Sequence, residues 1–141
     1  MTIVEQYLEK PFWVIDFLPK QVPVDSKGQY FRIEEYYLRQ PQFGEICRKF
    51  SNILIKLNCY FDISVFVRNH WVENPQPDAI GEWVSSGQAI HVVIESKDAM
   101  IGFNGDDLYM TIYNPDSLLI ELITSLANAD GLFVWKPGNQ D

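Results

Sequence analysis

From Phe43 to Leu57 the apolar residues fall at Phe43, Ile46, Cys47, Phe50, Ile53, Leu54 and Leu57. Steps of three and four put them on one stripe of a helix and leave Arg48, Lys49 and Lys56 to water. A second helix is marked at both ends. Asn114 reads as its N-cap, Pro115 as its first residue and Asp116 as a complement to its dipole. Leu118, Leu119, Leu122, Ile123, Leu126 and Ala127 form its stripe, and Gly131 is the left-handed residue that ends it. Ile3, Val4, Tyr7 and Leu8 make one face of a short helix capped by Thr2. Ile80, Trp83 and Val84 point inward from another. Tyr30, Ile33 and Tyr37 read as one helical face, with a strand as the alternative for residues 30–38.

Other stretches carry the two-residue period of strands. Phe12 to Phe17, "FWVIDF", is apolar on both faces and interrupted by Asp16. From Cys59 to Arg68 the apolar set is Cys59, Phe61, Ile63, Val65 and Val67. Ala89 to Glu95 is a further strand. Residues 100–113 read as a hairpin turning at Asn104-Gly105 with type I′ geometry. Leu108, Met110 and Ile112 face inward there, while Tyr109, Thr111 and Tyr113 face outward. Leu132 to Trp135 follows Gly131 at once, apolar on both faces, and Pro137 stops it. The order predicts a single α+β domain over residues 1–141. Its sheet is mixed, largely antiparallel, of about five to six strands, with helices packed on it and the C-terminal strand internal.

Charge changes the picture. The formal net charge is −8, and it is uneven. Residues 1–60 hold eight Lys/Arg against seven Asp/Glu, whereas residues 61–141 hold three against twelve. Such a chain repels nucleic acid and anionic membrane, and its natural macromolecular partner is a basic protein. No apolar run approaches the ~20 residues that span a bilayer, and "MTIVEQYLEK" is not a secretory leader. Cys47 and Cys59 form no CxxC pair. The expectation is a cytoplasmic protein whose two reduced thiols lie on apolar faces and react slowly.

Candidate chemistry is sparse. The sequence holds no GxGxxG, GxxxxGK[ST], HExxH or GxSxG, and no cofactor or metal is expected. The residues for a small enzymatic site are Asp16, Asp62, His70, His91 and Glu95, with Cys59 beside His91 as a nucleophile arrangement. Asp16 is the oddest of them. A carboxylate in an apolar strand is costly unless paired. Structurally it caps a neighbouring loop or pairs with an Arg such as Arg32, and a general acid or base is the functional reading. Asp98, Asp106 and Asp107 form an acidic set around a hairpin, with Tyr109 and Tyr113 as aromatic anchors of the kind enriched at interfaces.

Three stretches, "WVIDFLPKQVP", "LNCYFD" and "GLFVWKP", resemble those of small bacterial proteins of unknown function. That resemblance implies no activity, cofactor or catalytic residue. In size, acidity and lack of motifs the chain is also similar to immunity proteins of bacterial toxin systems. This likeness implies a non-enzymatic acidic domain that occupies a basic groove of its partner.

Overall fold

A computed structural model describes residues 2–138. In chain order the elements are α1 (Ile3–Leu8), β1 (Phe12–Asp16), α2 (Lys27–Leu38), α3 (Phe43–Leu57), β2 (Ser64–Val67), β3 (His70–Glu73), α4 (Pro77–Ser85), β4 (Ile90–Ile94), β5 (Ala99–Phe103), β6 (Tyr109–Tyr113), α5 (Ser117–Ala129) and β7 (Phe133–Trp135). The strands form one antiparallel sheet in the order β3-β2-β4-β5-β6-β1-β7. The α+β class is as expected, with seven strands rather than five or six.

Alternation along the strands sorts the side chains into two faces. Ile15, Val65, Val92, Ile101 and Ile112 lie on the first and are completely or almost completely buried. The stripes of α3, α4 and α5 seal this face through Phe50, Ile53, Leu54, Trp83, Val84 and Ile123. The second face carries Phe12, Val14 and Asp16 of β1, Tyr109, Thr111 and Tyr113 of β6, and His91 of β4, as the registers require. Only α1 and α2 lie over it. α1 is capped by Thr2, whose Oγ1 accepts the Glu5 N–H. It is pinned by Tyr7, whose hydroxyl donates to Asp98 at 2.8 Å. α2 turns Tyr30, Glu34 and Tyr37 inward, while Phe31, Ile33 and Tyr36 stand exposed. Residues 30–38 are therefore helical, but Ile33 is not on the inward face.

The C-terminal strand is not internal. β7 is an edge strand that pairs with β1 alone. Apolarity on both faces reports burial above and below a strand, and says nothing of neighbours beside it. What holds this segment is the end of α5. Gly131 adopts φ +76°. Its N–H donates to the Asn128 carbonyl, and the Leu132 N–H donates to that of Ala127. These two bonds are a Schellman motif, and Leu132 and Ala127 are its buried apolar contact.

Other expectations shift by a few residues. The cap of α5 is Asp116, which accepts the Leu119 N–H at 2.8 Å. Asn114 sits at φ 61°, and its side chain donates to the Asp98 carbonyl at 2.7 Å. The helix thus starts two residues later, and Leu118 is 68% exposed rather than part of the stripe. The two-residue type I′ turn lies at Arg68-Asn69, both with positive φ, between the paired Val67 and His70. Asn104 and Gly105 are not in that conformation. They belong to a longer loop, where Gly105 is needed because a side chain would collide with the backbone of Gly87. Cys59 is not on a strand. The chain turns after α3, Asn58 Nδ2 donates to the Phe61 carbonyl, and Cys59 is left exposed while Cys47 is buried.

Two measurements follow. Leu132→Ala should cost about 2–5 kcal/mol in urea unfolding, the range for a buried leucine. Phe133→Ala, one residue further along an edge strand, should cost about 1 kcal/mol or less. Thiol titration of the native protein should label Cys59 quickly and Cys47 only on unfolding, since burial pushes the Cys47 thiol up.

Candidate functional site

The half-covered face is where polar chemistry gathers. Beneath α2, and between it and strands β6, β1 and β7, lies a hollow of about 400 Å³. Phe12, Tyr30, Tyr109, Tyr113 and Trp135 give it aromatic walls, and Asp16 lies within its lining. The local sequence explains this placement. Asp16 ends β1 opposite Tyr109 on one side and Phe133 on the other. The alternation of β6 brings Tyr109, Thr111 and Tyr113 to the same face. Tyr30 and Glu34, four residues apart, share the inner side of α2, and the Tyr30 hydroxyl donates to Glu34 Oε2 at 3.4 Å.

Asp16 is only 4% exposed. Its Oδ1 and the indole Nε1 of Trp135 are two of three buried side-chain atoms without a hydrogen-bond partner among the described residues. Burial pushes its carboxyl up to about 6, and the charge of Glu34 adds to the rise. The backbone N–H groups of Leu18 and Phe17 and the nearby indole pull the other way. The expected partner Arg32 does not pair with it. The ion pairs among the described residues are Arg39–Glu35, Lys56–Asp130, Arg68–Glu82 and Lys97–Asp116. None reaches Asp16, Glu34, Asp106 or Asp107. Glu34 is raised by burial and by the charge of Asp107, and Asp107 by burial and by the charge of Asp106. These carboxylates thus share one region, and none of the ion pairs among the described residues places a cation on them.

The other candidates scatter. His91 faces Gly102 in mid-sheet, beside a second, smaller hollow that shares Tyr109, Thr111 and Tyr113. Burial lowers its pKa and so favours the neutral ring. Two strands stand between β4 and β1, so His91 and Asp16 are about 14 Å apart across the sheet. His70 begins edge strand β3 and is exposed. Asp62 and Glu95 do meet at one groove with Glu73, but Asp62 accepts a hydrogen bond from Asn74 and both acids are exposed. Cys59 and His91 are not brought together. Asp98 precedes β5 whereas Asp106 and Asp107 follow it, so those three do not form one rim. Asp98 accepts from Tyr7 and Asn114 instead. No cluster of three or more His, Cys, Asp or Glu suited to a metal ion occurs among the described residues.

A larger hollow, about 640 Å³, lies between α1 and strands β2, β3 and β4, lined by Tyr7, Trp71, Glu73 and Glu95 among others. It contains none of the unpaired buried atoms. Sequence reasoning singled out Asp16 but missed Tyr30, Glu34 and Trp135. The available signal was the four-residue spacing of Tyr30 and Glu34. Comparison with protein-family models, curated proteins and solved structures gives no match for the chain.

The raised carboxyl of Asp16 makes a prediction with a definite sign. A group whose folded pKa exceeds its unfolded value stabilises the fold fully below the unfolded value, and that stabilisation is lost as pH rises. Here the window runs from about 3.8 to about 6. The difference corresponds to about 3 kcal/mol at most. Asp16→Asn should therefore match the parent near pH 3 and exceed its stability at pH 7 by about 1–3 kcal/mol. A weaker slope from Glu34 and Asp107, raised in the same sense, should remain. Urea midpoints across pH check this, and a variant less stable at pH 7 would contradict the assignment.

Proposed function

We propose that this chain is a non-enzymatic, acidic protein-binding domain of the cytoplasm that engages a basic protein, in the manner of an immunity-type inhibitor. The observation that carries the reading is the gathering of Asp16, Glu34, Asp106 and Asp107 beside tyrosines on the half-covered sheet face, with no ion-pairing cation among the described residues. Burial first, and like charge second, raises Asp16, Glu34 and Asp107, and a basic partner would relieve the repulsive part. Aromatic side chains beside them supply contact area at small entropic cost. An exposed free thiol at Cys59 and a buried one at Cys47 suit a reducing compartment. No helix among the described residues is long and apolar enough to cross a membrane.

A small enzyme with a carboxylate and histidine site is the second reading, favoured by the buried, raised carboxyl of Asp16. It is the weaker one. Proton relay needs hydrogen-bond reach, and His91 stands about 14 Å from Asp16 across the sheet.

The test is capture of partners from host lysate by the immobilised chain at low and at high salt. A basic partner should be retained at low salt and released at high salt, because complementary fields between exposed charges are screened. The double variant Glu34→Gln/Asp107→Asn should weaken its capture at least tenfold. Glu121→Gln, on exposed helix α5 behind the sheet, should leave it unchanged. Equal capture by both variants would defeat the reading.

A further inference from the structure

We propose that the hollow under α2 receives one arginine side chain of a basic protein partner, with Asp16 Oδ1 as its buried acceptor. The inference rests on the chain being a binder of a basic protein, and it adds the residue that is recognised and the place where it docks.

The argument starts from the unsatisfied atom. A buried carboxylate oxygen without a hydrogen bond is costly, and the cost disappears when a donor arrives. Asp16 Oδ1 has no hydrogen-bond partner among the described residues, in a residue 4% exposed that lines the hollow. The Trp135 indole and the Leu18 and Phe17 N–H groups favour the charged carboxyl without bringing a cation to it. A neutral guest could donate to it, but would leave Asp16 and Glu34 repelling each other. A cationic guest answers both needs.

The walls choose between the two cationic side chains. Phe12, Tyr30, Tyr109, Tyr113 and Trp135 surround the space with ring faces and edges. A planar guanidinium is weakly hydrated and stacks on aromatic rings, whereas an ammonium is a compact, strongly hydrated charge. The guanidinium also presents several donors in one plane, enough for Asp16 and the Tyr30 hydroxyl oxygen at once. The hollow, at about 400 Å³, falls within the range of small-ligand sites. Its roof is thinly held. Phe31, Ile33 and Tyr36 of α2 face outward, so α2 holds to the sheet through fewer apolar side chains than the helices of the sealed face.

Titration supplies a signature. The groups facing Asp16 are Glu34 and Tyr30 from α2 and Tyr109 from β6, with Asp107 of the β5–β6 loop beyond Glu34. The tyrosines are raised and stay neutral below pH 9. Glu34 and Asp107 are also raised, by burial first and by neighbouring acids second. Below about pH 6 Asp16 is protonated, and a guanidinium must then displace that proton. Affinity should fall roughly tenfold for each further pH step of one.

The probe is N-acetyl-arginine methyl ester, titrated into the full chain and followed by the indole N–H resonance of Trp135, which Trp135→Phe assigns. The expected result is a saturable shift that is at least tenfold weaker with the lysine ester and at least tenfold weaker again with the uncharged citrulline ester. Asp16→Asn should lose at least tenfold in affinity. Should that variant fail to fold, the pH profile of the unaltered chain tests the same acceptor. No shift of the Trp135 resonance, equal binding of citrulline, or affinity flat across pH 5–7 would overturn the proposal. The two readings fail separately. A salt-sensitive basic partner lost in Glu34→Gln/Asp107→Asn, together with no arginine-ester binding, removes the arginine pocket and leaves the acidic interface standing. Ester binding in a chain whose capture of basic proteins ignores those carboxylates removes the interface and leaves the pocket.

Discussion

The seating of β1 between β6 and β7 is the constraint on which the candidate site depends. β1 comes from the start of the chain, and its two neighbours come from the end. Hydrogen bonding on both edges fixes its register, and in antiparallel pairing the register decides which side chains share a face. Ile15 is thereby committed to the sealed core, and Asp16 to the opposite face among Tyr109, Trp135 and Tyr30. A slip of one residue would exchange them, placing a carboxylate under α3 and α5. The stability of that core is what allows the other face to keep an unpaired acid.

The two faces differ in what covers them. α3, α4 and α5 present continuous apolar stripes, and these seal one side with residues that are almost fully buried. α1 is a six-residue helix without a buried residue, and α2 sends much of its apolar surface outward. The asymmetry reaches function through access. A pocket needs a wall that is not packed shut, and only the thinly covered face offers one.

Much of this was legible in the sequence where a signal is local. The stripe on α3 needs only a period of 3.6, and Gly131 announces the end of α5 because few other residues accept its backbone angles. Asp16 stood out as an acid in an apolar run. What escaped was non-local. Strand order is absent from periodicity, so β7 looked internal although it lies at the edge with Phe133 exposed and Val134 and Trp135 half-buried. Arg68-Asn69 makes a type I′ turn without the Asn-Gly signature, so the β2–β3 hairpin was invisible. The same limit hid the site. Glu34 and Trp135 sit 101 positions apart in the sequence numbering; the β1–β7 register brings Trp135 to Asp16, and the packing of α2 brings Glu34.

The short strands at the sheet's borders have a consequence for behaviour in a crowded solution. An open sheet offers two rows of unpaired backbone groups on which further strands can add. Here one border is the four-residue β3, which carries His70 and Glu73, and the other is the three-residue β7. Pro137, just past β7, has no N–H to extend the ladder. A strand docking at either margin would find few bonds before the template ran out. The borders of the sheet thus offer an added strand only a short template of backbone groups.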